Sequence, residues 1–202
     1  MTNLVTLRDR VESFLKDAGN ALWTTGEMDD AIRRALHRYS EMRPHELVTT
    51  LTLAAAGREV SLAGVSGLLR PLRVWWPYTA SEPEYPPSWV RWDLHGPATL
   101  FLDVADEPQA GDGVRLFYAA LHTIDGLDSA AATTVPADDE EAIVLGAAGY
   151  AALARAAYAT EAVTLSGGTP ARWRAWAEAR LAEFEARIRP RYEPACWAVW
   201  GD

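Results

Sequence analysis

The stretch TTGEMDDAIRRALHRYSEMRPHELVTTLTL, residues 24–53, decides the fold because its pattern changes from helix to strand at Pro44. Thr24 and Glu27 have the spacing of a capping box, which marks the start of a helix. The apolar side chains that follow recur at helical spacing on one face: Met28, Ile32, Ala35, Leu36 and Tyr39. Beyond Pro44 the residues have the period and composition of a strand. The chain therefore passes from a helical segment into a β region.

A shorter helix is predicted before this one, over residues 7–16. Thr6 is its expected N-cap, and Gly19-Asn20 is expected to end it. On the exposed side of the longer helix, opposite charges four residues apart predict two ion pairs: Asp29–Arg33 and Asp30–Arg34.

Short strand-like segments separated by turns follow Pro44. We predict six of them, at residues 47–53, 59–62, 72–76, 89–94, 98–103 and 113–122. Residues 81–87, SEPEYPP, contain too many prolines for a ladder of backbone hydrogen bonds and are predicted to form a loop. Closely spaced short strands of this kind favour a small antiparallel sandwich or barrel.

The helical period returns after Leu127. An alanine-rich helix is predicted over about residues 138–160, with small residues on one face that let a neighbouring helix come close. A final helix starts with Thr169 as cap and ends at Pro190. We therefore predict an α+β fold with about four helices, two N-terminal and two C-terminal, around an inserted antiparallel sandwich or barrel-like region. The expected boundaries are 1–45 with 128–190 for the helices, 46–127 for the insert and 191–202 for a C-terminal tail.

Composition limits the classes of function. The 202 residues have a net charge of −9, so the chain lacks the basic footprint of a protein that grips nucleic acid. Cys196 is the only cysteine, which excludes an internal disulfide and a cysteine-based zinc site. The N-terminus does not resemble a signal peptide, and the apolar helix near residues 142–159 is predicted to be buried within the protein rather than in a membrane.

No motif for catalysis, metal binding or cofactor binding is recognisable. The four histidines have no ligand spacing, and phosphate-binding and nucleophile motifs are missing from the sequence. The acidic run Asp138–Glu141 is interpreted as the start of a helix. We therefore expect no catalytic residue, no metal site and no cofactor.

Aromatic residues are the unusual feature, with nine tryptophans in all. Tryptophan is enriched at the centres of protein interfaces and also fills cores. The predicted insert has four that are candidates for contact with a partner or ligand: Trp75, Trp76, Trp89 and Trp92. The C-terminal helices have four aromatic residues assigned to core or subunit packing: Tyr150, Tyr158, Trp173 and Trp176. The tail has two tryptophans that favour an interface: Trp197 and Trp200.

Two stretches of the sequence resemble head–tail adaptor (connector) proteins of tailed bacteriophages and prophages. The first is LRDRVESFLKDAGNALWTTGEMDDAIRRALHRYSEMRP. It contains the family's aspartate, its W-T/S-x-x-E cap and its A-I-x-x-A-L-x-x-Y-S helix, here Asp17, Trp23, Thr24, Glu27, Ala31, Ile32, Ala35, Leu36, Tyr39 and Ser40. The second is VRLFYAALHTIDGLDSAAATTVPADDEEAIVLGAAGYAALARA, which is similar to the family's last strand, T-x-x-P and alanine-rich helix.

This resemblance implies a structural protein of the virion that forms a ring, commonly of twelve copies, beneath the portal. Such a ring extends the DNA channel without binding DNA specifically and presents a surface to a tail or stopper protein. The C-terminal segment of such proteins commonly lies along the portal, which here assigns Tyr192, Trp197 and Trp200 to portal docking. The implied locations are the head–tail junction and, during assembly, the host cytoplasm. No membrane is involved.

Two other classes of function remain open from the residues. A carbohydrate-binding or tail-associated module would use the tryptophans of the insert, because flat rings stack on sugars. A hydrolase would use His122 with Asp125 or Asp128, and it requires a pocket in which these side chains converge.

Overall fold

The computed structural model describes residues 2–17, 22–161 and 169–189. The fold is α+β, as predicted, with four α-helices and one curled, six-stranded antiparallel sheet. Contacts divide the chain into two compact units, with boundaries after Arg43 and after His122. We call residues 44–122 the sheet unit and the remainder the helical unit.

The helical unit contains α1 (Leu4–Leu15), α2 (Thr25–Met42), α3 (Glu140–Glu161) and α4 (Thr169–Ile188). Two short 3₁₀ turns, Leu127–Ser129 and Ala137–Asp139, precede α3. One core joins the four helices, so the apolar stripes of both ends of the chain pack together. Its largest fully buried members are Leu7, Val11, Trp23, Met28, Ile32, Tyr39, Ile143, Phe184 and Ile188.

The predicted start of α1 is wrong, its end lies one residue from the predicted one, and the predicted stop signal Gly19-Asn20 lies outside the described residues. Asn3, not Thr6, is the N-cap, because the Oδ1 atom of Asn3 accepts the backbone N–H of Thr6 at 2.9 Å. The helix therefore begins three residues earlier than predicted. It ends at Leu15, since Lys16 adopts a left-handed conformation with φ 55°.

The capping box of α2 is confirmed. The hydroxyl of Thr24 accepts the backbone N–H of Glu27 at 3.3 Å, and the carboxylate of Glu27 accepts the backbone N–H of Thr24 at 2.7 Å. The carboxylate of Glu27 thus accepts hydrogen bonds from the backbone N–H of Thr24 and, in addition, from its hydroxyl. These two bonds lower the pKa of Glu27. The charged carboxylate therefore stabilises the start of the helix.

The two predicted i,i+4 pairs of α2 are wrong. Asp29 instead binds the guanidinium of Arg8 on α1 through two hydrogen bonds. Arg33 binds Asp30 and the carboxylate of Asp128. The two-pronged geometry of a guanidinium is best satisfied by a carboxylate held on another element, so Arg8 and Arg33 each make their two-pronged contact between elements, while the Arg33–Asp30 contact stays within the helix.

Small residues of α3 let α4 come into close contact, as predicted. A Cβ atom on Gly149 would lie 2.8 Å from the Cγ atom of Leu181, and one on Gly146 would lie 3.0 Å from the ring of Phe184. The stretch Ala137–Ala159 is long and apolar enough to cross a membrane, but 67% of the most apolar window is buried within the protein.

The sheet unit contains β1 (His45–Thr52), β2 (Glu59–Ser61), β3 (Leu68–Trp75), β4 (Trp89–Leu94), β5 (Thr99–Asp103) and β6 (Gly113–Ala120). Their order across the sheet is β1-β6-β3-β4-β5-β2, and every pair is antiparallel. The sheet has its own core on the inner face, centred on Val74, Leu100, Leu102, Val114 and Leu116.

Strand β3 starts at Leu68, four residues before its predicted start. Pro71 lies inside this strand opposite Tyr118, and the register shifts on both sides of it. Because proline donates no backbone hydrogen bond, it is tolerated in a sheet at such irregular positions. The sequence pattern alone does not distinguish a bulged strand of this kind from a loop.

The close approach at Gly149 gives a stability test. Gly149→Ala should lower the free energy of unfolding by about 1–3 kcal/mol, because the added methyl group overlaps Leu181. Gly26→Ala is the matched control, since no atom lies within 4 Å of its added Cβ atom. This variant should gain about 0.5–1 kcal/mol from the better helix propensity of alanine. Urea unfolding measures both, and equal stability of the two variants would contradict the packing described.

The lowered pKa of Glu27 predicts a dependence on pH. The unfolded chain takes up the proton at a higher pH than the folded chain, so the carboxylate stabilises the fold above its ordinary pKa of 4.5. This contribution disappears as the pH falls through the folded-state pKa. Glu27→Gln should therefore be less stable than the parent chain at neutral pH, and the two urea midpoints should converge in acid. A gap that is constant with pH would argue against the charged cap.

Candidate functional site

The residues that could perform chemistry do not form a metal-binding cluster. Within residues 2–17, 22–161 and 169–189 there is no group of three or more histidine, cysteine or acidic side chains suited to a metal ion. The rings of His45 and His122 pack at 5.3 Å, and His95 stacks on Phe101 at 4.6 Å. Asp128, one of the two aspartates of the hydrolase hypothesis, accepts hydrogen bonds from Arg33 at 2.7 and 2.9 Å.

The aromatic residues of the C-terminal helices lie partly in the core. Trp173 and Trp176 pack against it. Four rings are in contact one after another, from the buried Trp23 through Trp173 and Trp176 to the exposed Phe14. This row borders a groove of about 500 Å³. Trp173 and Trp176 therefore have one side in the core and one side accessible to a neighbouring molecule.

The two tyrosines of α3 occupy different environments. Tyr150 packs against the core below the guanidinium of Arg34, and its burial raises its pKa. Tyr158 is 61% exposed and contacts Arg155. Tyr158 is therefore the one of the four helix aromatics with most surface to offer a partner. Tyr192, Trp197 and Trp200 lie outside the described residues.

A buried carboxylate organises the corner between α1 and α2. Asp17 is 3% exposed, and its carboxylate accepts the backbone N–H groups of Leu22 and Trp23 at 3.0 Å. The indole N–H of Trp23 then donates to the backbone oxygen of Ala151 in α3 at 3.1 Å. The aspartate and tryptophan singled out in the sequence thus connect three helices through one chain of hydrogen bonds.

A second polar cluster holds the end of α4. The hydroxyl of Tyr39 and the guanidinium of Arg43 both donate to Asp139 at 2.7 Å. Burial is the main cause that raises the pKa of Tyr39. Arg43 also donates to the backbone oxygens of Arg187 and Arg189, at 2.7 and 3.1 Å. The end of α4 is therefore fixed by Arg43, which follows α2, and this arginine shares Asp139 with Tyr39.

The four tryptophans of the sheet unit divide between its two faces. Trp76 and Trp92 pack against the inner core. Trp75 and Trp89 face each other across β3 and β4 in register, with ring centroids 6.2 Å apart. The four residues therefore do not form one surface, and only Trp75 and Trp89 lie together.

Around this tryptophan pair lies a group that we call the aromatic–arginine face: Arg73, Trp75, Tyr78, Trp89, Arg115 and Phe117. The guanidinium of Arg73 lies 5.1 Å from the ring of Trp89 and 5.5 Å from that of Phe117. The guanidinium of Arg115 lies 5.0 Å from the ring of Tyr78. A guanidinium cation and the face of an aromatic ring attract each other electrostatically. These contacts hold the face together without carboxylates.

Sequence reasoning missed the two arginines, Tyr78 and Phe117. Residues two positions apart in a strand lie on the same face of the sheet. The sequence therefore indicates that Arg73 shares a face with Trp75, and that Arg115 shares a face with Phe117. Which strands are neighbours was not available from the sequence. The register that places Arg73 opposite Phe117 follows only from the strand order.

Comparison with known proteins gives no assignment. No protein-family model matches the chain, and no curated protein is similar to it.

The Asp17 corner gives a test of its structural role. Asp17→Ala should lower the free energy of unfolding by about 1–3 kcal/mol, because two backbone N–H groups lose their acceptor. Asp17→Asn keeps one acceptor oxygen and should lose less. Urea unfolding of the three proteins measures the order, and an alanine variant as stable as the parent would contradict the proposed role.

Proposed function

We propose that the chain is a head–tail adaptor of a tailed bacteriophage or prophage, and that it acts by binding rather than by turnover. In this proposal the helical unit forms a ring subunit beneath the portal, and the ring extends the DNA channel and presents a docking surface to a tail or stopper protein. The tail residues Tyr192, Trp197 and Trp200 bind the portal.

The observation that carries the proposal is the contact between the two stretches that resemble the family. Trp23 of the first stretch donates to Ala151 of the second, and Tyr39 of the first donates to Asp139 of the second. The resemblance requires these two stretches to pack together in one fold. Here they share hydrogen bonds and one core, so both stretches support the same fold.

The contacts that hold the end of α4 support the role assigned to the C-terminal tail. Arg43 holds the end of α4 at the backbone oxygens of Arg187 and Arg189, and Asp139 accepts a hydrogen bond from the same guanidinium. A segment that binds a large partner benefits from a rigid point of attachment, because less freedom is lost on binding. The net charge of −9 also suits a channel through which DNA slides without being retained.

Binding to the portal protein encoded in the same genome tests the proposal. The full chain should form a ring complex with the purified portal that is visible by electron microscopy. Truncation before Glu193 should weaken the complex by removing Trp197 and Trp200. Failure of the full chain to bind the portal would refute the adaptor proposal.

A variant of full length separates the tail's aromatic contacts from its mere presence. Replacement of Tyr192, Trp197 and Trp200 by alanine should weaken portal binding to a similar extent as the truncation. Leu94→Ala, an exposed apolar side chain on β4, is the matched control for loss of a large side chain. Unchanged binding of the triple variant would overturn the assignment of the tail.

The alternative is a carbohydrate-binding or tail-associated module, and the pair Trp75–Trp89 is the observation that favours it. The presence of Arg73 beside the ring of Trp89 disfavours a sugar, since stacking needs an open ring face. This alternative predicts that saccharides quench the tryptophan fluorescence.

A further inference from the structure

We propose that the aromatic–arginine face binds the loop at residues 81–87 of a second copy of this chain. This loop, Ser-Glu-Pro-Glu-Tyr-Pro-Pro, precedes β4 and is the acidic, proline-rich loop identified in the sequence. The contact needs no portal and no tail protein, so it can be tested apart from the proposed portal binding.

The two arginines of the face lack acidic partners. In the helical unit, Arg8 and Arg38 each grip a carboxylate with two hydrogen bonds. Among residues 44–122, all of which the structure describes, the one ion pair joins His95 and Glu59. Arg73 lies over aromatic rings only, and Arg115 adds a hydrogen bond to the hydroxyl of Thr50 at 2.8 Å. Their remaining N–H groups are available to an incoming carboxylate.

The loop at residues 81–87 also presents a large apolar ring to solvent. Tyr85 is 91% exposed, the highest value among the exposed large hydrophobic residues of the described chain. Burying an aromatic ring of this kind is a main source of binding energy at interfaces. The ring of Tyr85 is therefore accessible to a site on another molecule.

Charge and chemistry make the loop and the face complementary. Glu82 and Glu84 lie on either side of Pro83, close to Tyr85 in sequence, and both are exposed. Glu84 accepts a hydrogen bond from the hydroxyl of Ser88 at 2.6 Å, which leaves its second oxygen available. The two carboxylates match the two guanidinium groups, and the ring of Tyr85 matches the part of Trp89 that remains exposed, 47% of that residue.

Proline lowers the cost of binding through the loop. Pro83, Pro86 and Pro87 restrict the backbone, so the loop loses little conformational freedom when it binds. Nucleic acid is a poorer occupant of the face, because the chain has a net charge of −9. The contact joins the loop of one copy to the aromatic–arginine face of another.

Exchange of charges between the two surfaces tests the inference. The loop variant has Glu82→Arg and Glu84→Arg, and the face variant has Arg73→Glu and Arg115→Glu. The parent chain should associate in a concentration-dependent manner by analytical ultracentrifugation at low salt. Each variant alone should associate roughly tenfold or more weakly, because like charges then meet. An equimolar mixture of the two variants should recover association, since each surface again meets its opposite.

Two controls keep the result interpretable. Asp106→Arg with Glu107→Arg makes the same change of charge on another exposed loop of the sheet unit and should associate like the parent chain. Tyr85→Ala tests the apolar part of the contact on a side chain that is too exposed to affect folding, and it should weaken association. A parent chain that stays monomeric, a loop variant that associates normally, or a mixture that shows no recovery would each overturn the inference. The portal experiment is independent, so the two proposals can fail separately.

Discussion

The close contact between α3 and α4 is the constraint on which the helical unit depends. Phe184 is fully buried against the backbone of α3 because Gly146 has no side chain, and Leu181 reaches Gly149 for the same reason. The other face of α3 receives α1 and α2, so this helix contacts every other helix of the unit. A larger residue at Gly146 or Gly149 would push α4 away from α3. It would also move the backbone of Arg187 and Arg189, to which Arg43 donates hydrogen bonds.

Arginine supplies most of the polar contacts between elements. Arg8 joins α1 to α2, Arg38 joins α2 to α4, and Arg43 joins α2 to the end of α4. Each uses the planar, two-pronged geometry of the guanidinium, which lysine lacks. In the sheet unit, by contrast, Arg73 and Arg115 pack on aromatic rings. The same residue type thus fixes the helices internally and leaves the sheet with unused hydrogen-bond donors.

The predictable parts of the structure are those in which local pattern and tertiary structure agree. The α2 cap, the small face of α3 and the six strands follow from spacing alone, since each is a property of a few neighbouring residues. The Asn3 cap and the partners of Asp29 depend on competition between equally suitable residues, which only the folded chain decides. The aromatic–arginine face depends on strand order, and nothing in the period of one strand identifies its neighbour.

Strands β1 and β6 pair along their whole length, with His45 opposite Ala120. Residues opposite each other in an antiparallel pair are only about 5 Å apart, so the chain enters and leaves the sheet unit at nearly the same point. A short turn, or an unrelated domain with adjacent ends, would bridge that gap equally well. Replacing the sheet unit as a single piece would therefore leave the packing of the helices in place.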